Sequence, residues 1–552
     1  MNILTNNINI LKYTMKNAPV YTFMSCFIGA THTIIIYFEH TYMIKYIIDC
    51  IQYDMPFSHV FRYILAIFIA VSVWLFVNWL WWSGWRAGLI EKLEMKVQYS
   101  IYNKASSVDM FCYDNKEYYD EYVWSSNEST SKVIAVVDTF SNLINSVTGL
   151  IVCGGFVFIY DNMGFVFVVI SIVGTYICNL AINKIKVEYV NEMKPAERRR
   201  DYINRVFFLK DYAKELRLNK LTKKLKDNYT SVHGEIIDSI NRYSKQCVGL
   251  TFASEFGLNL FIFNGLYAGY LLFKTMVRQE ISYGTMIVLY QSAAQLKNAV
   301  FDFTRTISNF HENSLYIDKL ISFWGFENRI ISGTKQLTNP VQTLEFKNVF
   351  FSYDNAKNIL ENVNIKIERK EKIAIVGENG AGKTTLINLV LRLYDATKGD
   401  ILVNGENIKS YTLDSYRDKF SIVFQDFQIY ATTIGQNIAM DNTYFEDKIL
   451  QALQASGLSD RKMETLPHGI DTMCTKEFDD DGMEFSGGEA QKICIARAIY
   501  RNTELIILDE ASSALDPISE YNFNNMINEQ FKDQTVIFIS HRLSTTIMAD
   551  RI

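Results

Sequence analysis

Mostly apolar stretches near 20–50, 60–89, 137–160, 163–183, 249–273 and 282–300 dominate the first part of this chain. Each approaches the about 20 residues that an α-helix needs to cross a hydrocarbon core. In lipid, every backbone N–H and C=O must be satisfied within the segment, so such runs fold as helices. The expectation is an all-α, six-helix transmembrane domain. At 552 residues the chain exceeds what one hydrophobic core supports, so further domains follow.

Basic residues set the expected topology. The segments from Arg86 to Lys132 and from Lys184 to Lys245, with Arg198-Arg199-Arg200, are rich in Lys and Arg, whereas Asp161-Asn162 carries none. Positive loops stay cytoplasmic, which puts both termini of a multi-pass protein inside. Both basic segments are too long for turns, and their periodic apolar residues predict cytoplasmic helical extensions. At their ends lie two short amphipathic pieces, 111–122 and 209–220, which either dock on a neighbouring domain or remain solvated loop helices.

After Glu327 the composition turns polar, with Gly333 and Pro340, and 327–342 reads as a linker between 1–326 and 343–552. The last part is α/β in pattern. Leu344–Val349 alternates as a strand, while Ile373–Val376, Leu505–Leu508 and Val536–Ile539 are continuous apolar runs, as buried parallel strands are. The eight cysteines form no C-x-x-C pair and give no reason to expect a metal site or disulfides. A formal charge of −5 is small and gives no reason to expect nucleic acid as a partner.

Between the strand ending at Val376 and the next helix, Gly377-Glu378-Asn379-Gly380-Ala381-Gly382-Lys383-Thr384-Thr385 fits the G-x-x-x-x-G-K-[ST] phosphate loop. Glycines let successive N–H groups turn toward phosphate oxygens, and the helix N-terminus adds its positive end. Lys383 is placed to meet the β- and γ-phosphates of ATP, and the Thr384 hydroxyl to bind Mg²⁺. Asp509 ends a buried run and is the second Mg²⁺ candidate. Glu510 beside it is the natural general base for an attacking water.

Together these residues resemble the ATP-binding cassette (ABC) family, and the layout is similar to an exporter-type half-transporter. The fold so implied is a six-helix transmembrane domain with long cytoplasmic extensions, fused to an α/β P-loop NTPase domain. The resemblance implies that Tyr353 stacks on adenine, that Gln425 senses Mg²⁺ and touches the coupling helices, and that His541 is the switch histidine. It makes Ser486-Gly487-Gly488-Glu489, after Phe485, the signature that contacts a γ-phosphate held by the opposite subunit. It makes Ser513–Asp516 the loop that crosses the dimer interface, and the pieces near 111–122 and 209–220 the coupling helices. The signature departs mildly from the usual form, with Phe485 for Leu and Glu489 for Gln. The chain also stops at Ile552, where the family continues through another strand and a helix, so the cassette is expected to be cut at that edge. No cysteine-protease domain precedes the first span, so leader cleavage is not expected.

The sixth apolar segment carries Gln291, Gln295, Asn298, Asp302 and Arg305 at steps of four and three, hence on one helical face. Glu255, Asn259 and Asn264 recur similarly on the fifth, and His32, Glu39 and His40 on the first. Such a stripe should face a wet cavity, with pairing between cytoplasmic extensions as the alternative for Asp302 and Arg305. Trp74, Trp79, Trp81, Trp82 and Trp85 crowd the second segment and read as an interfacial belt, or else as an aromatic binding wall. The expected activity is ATP-driven export of a peptide or amphipathic small molecule by a dimer, most simply of identical copies. A lipid flippase, a siderophore importer and an ATP-gated channel stand as alternatives.

Overall fold

The computed structural model describes residues 3–552 apart from 354–356, 379, 459–463, 512–516 and 541–545. The chain forms two compact units, Met1–Ser106 with Asp120–Gly325, and Ser107–Tyr119 with Phe326–Ile552. The main division falls at Gly325/Phe326, and Ser107–Tyr119, from within the stretch expected to belong to 1–326, is grouped with the C-terminal unit.

The first unit is all α. Pro19 opens the helix through Gln52, a position where its missing N–H costs nothing. Helices over Phe57–Ser107, Glu121–Tyr160, Asn162–Val190 and Thr222–Met276 follow, and these five are long and apolar enough to cross a membrane. Only 6–22% of the most apolar window in each is buried within the chain. Side chains such as Phe68, Phe76, Ile151 and Ile177 are exposed, a surface suited to lipid and unfavourable in water. The expected sixth span lies in the helix Tyr283–Gly325, which among the described residues falls short of that apolarity. Gln291, Gln295, Lys297 and Asn298 interrupt its apolar run, and its buried face runs nearly end to end.

Two long helices meet at the single residue Asp161. Its carboxylate accepts from Tyr270 Oη at 3.1 Å and Lys274 Nζ at 3.3 Å. Beyond the apolar windows, 184–208 and 222–245 pair along narrow seams of Met193, Ala196, Val232 and Ile236, and of Ile203, Val206 and Leu225. Arg199–Glu235 and Arg242–Glu192 ion pairs flank those seams, as befits helices that have left the lipid. Lys210–Leu218 is a separate helix at their turn.

The second unit holds two sheets. Strands β1 (Thr343–Phe351), β2 (Leu360–Glu368), β4 (Lys398–Val403) and β5 (Glu406–Asn407) form an antiparallel sheet in the order β2-β1-β4-β5. Strands β3 (Lys372–Ile375), β6 (Phe420–Val423), β7 (Leu505–Asp509) and β8 (Thr535–Ile539) form a sheet ordered β3-β8-β7-β6, each pair parallel. Every residue of β7 and β8 is buried, so both faces are covered, which explains their unbroken apolar sequences. Arg551 bridges Ile373 in parallel on the outer side of β3.

The piece expected as one helix over 111–122 is broken. A short helix Met110–Asp114 ends at Asn115, whose backbone is extended (φ −82°, ψ 115°), and a new helix begins at Lys116. The short helix is held locally by its own unit. Asp109 Oδ2 accepts from Ile330 N at 2.8 Å, Arg329 lies over the Phe111 ring, and the Tyr394 hydroxyl donates to the Asp114 carboxylate. Burial and that carboxylate hold the Tyr394 phenol well above its usual range.

Candidate nucleotide site and membrane cavity

The phosphate loop follows β3 and enters the helix Lys383–Val390. Gly380 and Gly382 have φ of 86° and 92°, a region that side chains rarely adopt. A Cβ on Gly382 would also come within 2.9 Å of Leu360 Cδ2. Lys383 Nζ donates back to the carbonyls of Gly377 (2.7 Å) and Glu378 (3.1 Å), which holds the ammonium over the loop.

Strand order brings the remaining groups to the same place. Because β7 lies between β8 and β6, the ends of β6 and β7 put Gln425 and Asp509-Glu510 beside the loop that leaves β3. One cleft of about 720 Å³ is lined by Gly377, Glu378, Gly380, Gly382, Lys383, Thr384, Thr385, Gln425, Asp509 and Glu510. Gln425 Nε2 donates to Glu510 Oε2 at 3.1 Å. Glu510 has φ 49°, unusual for a side chain of this size, and its N–H is tied to Ile539 O at 3.0 Å. Such strain persists only where surroundings fix it, and here it aims the carboxylate into the cleft.

Asp509 is 3% exposed. Burial and then the adjacent Glu510 push its carboxyl up to about 6, against an opposing pull from Lys383 and with a smaller contribution from Asp426. A buried carboxylate among other carboxylates calls for a cation. The oxygens of Thr384, Gln425 and Asp509 are hard donors on one cleft, the set that Mg²⁺ prefers.

Ser486 is the N-cap of the helix Gly487–Arg501 and forms a capping box with Glu489. Glu489 Oε2 accepts from Ser486 N and Ser486 Oγ, both at 2.9 Å. Glutamate at this position therefore does local structural work that the S-x-x-E spacing alone encodes. Sequence reasoning missed Gln491, whose buried side chain donates to Ala511 O and so ties this helix to the segment after Glu510.

Tyr353 is not among the residues that line the cleft but adjoins one of them, Thr385. Its ring packs at 90° to Tyr394 (5.1 Å between centroids), and its hydroxyl lies 3.3 Å from Thr385 Oγ1. Ala381, Gly487 and Gly488 keep their expected places in loop and helix. Asn379, Asp516 and His541 lie outside the described residues, as does the loop around Asp516.

In the helical unit, Glu255, Asn259 and Asn298 line one cavity of about 340 Å³ together with Lys297, a residue that the polar stripe overlooked. Gln291 and Gln295 are not among the residues that line this cavity. Gln295 turns inward to donate to Thr41 Oγ1 (3.1 Å) and accept from Cys153 Sγ (3.3 Å), and Gln291 Oε1 is buried. Their shared helical face meets different neighbours at different depths. The tryptophans also divide: Trp79, Trp82 and Trp85 are exposed, Trp81 is buried against Tyr21, and Trp74 stacks on His32.

A nucleotide-type cleft on a parallel sheet, joined to apolar helices of membrane length, defines an ATP-dependent membrane protein. The ABC transporter family profile matches residues 360–513. The subtilin transport ATP-binding protein SpaT of Bacillus subtilis is 28% identical over 464 residues, covering 83% of this chain and 74% of that protein. The ATP-dependent lipid A-core flippase of Haemophilus influenzae is 35% identical over 280 residues, so this chain spans under half (47%) of the flippase's length. In three dimensions the chain matches a bacterial Atm1-family ABC exporter with ATP bound at TM-score 0.73, over 98% of this chain and 93% of the other, with 19% identity. Residues 360–513 thus match the ABC transporter profile, and the chain has the fold of a bacterial ABC exporter.

Proposed function

We propose that two copies of this chain form an exporter that uses ATP hydrolysis to move a peptide across the bacterial cytoplasmic membrane, with both termini inside. The observation that carries the peptide reading is the length of the likeness to SpaT, whose name concerns subtilin, a peptide. That alignment is more than twice the length of 343–552 and so extends well into the membrane helices. The flippase alignment, at 280 residues, is far shorter.

In this reading the Gly377–Thr385 loop wraps the phosphates of ATP, and Lys383 leaves its carbonyl partners for phosphate oxygens. Thr384, Gln425 and Asp509 hold Mg²⁺, which neutralises charge on the transferred phosphoryl group. Glu510 accepts the proton of the attacking water while Gln425 keeps its carboxylate oriented. His541 supports that water, Tyr353 takes the adenine, and Asp516 faces the partner copy. The Ser486–Glu489 helix terminus presents N–H groups to the γ-phosphate held by the other copy, so neither copy completes the charge-stabilising shell alone. ATP then favours the closed pair, and the docked Met110–Asp114 helix passes that movement to the spans.

The test is transport into inside-out vesicles that contain the purified protein. ATP-dependent accumulation of an amphipathic peptide, absent with a non-hydrolysable analogue, is expected. Movement of lipid probes with no peptide uptake would assign the chain to the flippase reading instead.

A further inference from the structure

One charged cluster in the membrane unit has no part in ATP chemistry. Asn259 Nδ2 donates to Glu255 Oε2 at 3.0 Å, both on the π-helical stretch Ala253–Tyr267. From the helix Tyr283–Gly325, Lys297 Nζ donates to Asn259 Oδ1 at 2.5 Å and sits 5.4 Å from the centroid of the Phe263 ring. An amide therefore stands between the ammonium and the carboxylate. Charges in direct contact would satisfy each other. Held apart, each keeps unused valence, since a carboxylate offers about four acceptor sites and an ammonium three donors.

The cluster opens on the cavity of about 340 Å³, whose apolar walls include Ile172, Tyr176 and Phe301. That volume lies within the range of small-ligand sites. Ionisable groups in a bilayer-facing unit are costly and mark substrate paths, and π-helical turns concentrate at functional sites.

The geometry points to a receptor for a zwitterionic head on an amphipathic molecule: an ammonium for Glu255, an anionic group for Lys297, and an apolar body against Tyr176 and Phe301. This inference rests on the export reading and names the part of the substrate that is recognised. A peptide end that bears both charges fits, and a phosphocholine head carries the same chemistry from lipid.

The experiment uses the full-length protein in nanodiscs of phosphatidylglycerol, which offers no zwitterionic competitor. The probe is an N-acetylated apolar decapeptide ending in lysine with a free carboxylate, with C-amidated and Nε-acetylated versions, and lysophosphatidylcholine as the lipid arm. Amidation should weaken wild-type binding about tenfold yet leave Lys297→Gln unaffected, and Nε-acetylation should do the same against Glu255→Gln, the non-additivity expected of direct contacts. The swap Glu255→Lys with Lys297→Glu keeps the test open if a single variant does not fold, and should restore preference for the doubly charged probe. If lysophosphatidylcholine alone shows this dependence, the receptor stands and peptide export falls. Equal losses in wild type and variants, or no binding of any zwitterionic probe to the wild type, would overturn the inference.

Discussion

The phosphate cleft and the membrane cavity both gather polar side chains, but by different means. In the cleft, one nine-residue loop and the ends of adjacent parallel strands supply every group, so the backbone fixes their convergence. In the membrane unit, partners come from separate helices: Lys297 meets Asn259 across 38 positions and Gln295 meets Thr41 across 254. The first arrangement can be read from local spacing. The second depends on which helix lies alongside, and spacing does not say.

The comparison predicts how each region breaks. The largest effect should come from Lys383→Ala, which removes the charge proposed to meet the phosphates. ATPase activity is expected to fall by roughly 10²-fold or more, with little change in melting temperature, because among the described residues the ammonium donates its hydrogen bonds to carbonyls of its own loop. A comparable loss of folding would show that the loop is held together by this lysine.

In the membrane unit the damage should instead be structural. Asp161 is 1% exposed and paired with Lys274, so Asp161→Ala removes the closer of the two carboxylates, at 3.3 Å against 4.0 Å for Glu280, that face this half-buried ammonium. It is expected to cost roughly 3 kcal/mol, read as a lowered melting temperature in detergent. Unchanged melting would mean that the ion pair adds little to the helix junction.

Asp509 lies between these extremes because function and stability oppose each other there. Its carboxyl titrates at about 6 in the folded protein against an ordinary 3.8. The folded state holds a proton that the unfolded chain releases. Stability from this group is complete below pH ~4, declines as pH rises toward 6, and stays lost at neutral pH. Asp509→Asn should therefore raise nucleotide-free stability by roughly 2 kcal/mol at pH 7 and leave it unchanged near pH 4. Hydrolysis should be lost at both. The smallest effect is expected at the signature: Ser486→Ala removes an N-cap worth about 1 kcal/mol, measurable by thermal melting of the full chain.

Legibility in the sequence follows the same division. The strands around β3, β7 and β8, the loop Gly377–Thr385 and the Asp509-Glu510 pair were readable because each is encoded by contiguous residues. The capping box of Ser486 and Glu489 was readable from spacing, although Glu489 could be seen only as a departure. Gln491 and the Tyr394–Asp114 contact, which joins residues 280 apart, left no local signal. The polar stripe on the sixth apolar segment was real as periodicity, but Gln295 bonds to Thr41 on another helix while Asn298 faces the cavity. Lys297 did leave a trace, since a lysine inside an apolar run needs a partner, and Glu255 and Asn259 were already candidates.

The most direct test of the central claim, that this cleft hydrolyses ATP with Glu510 as base, is Glu510→Gln in the purified full-length protein. ATP binding should persist while hydrolysis falls by roughly 10²-fold or more. Wild-type turnover in the glutamine variant would contradict the assignment.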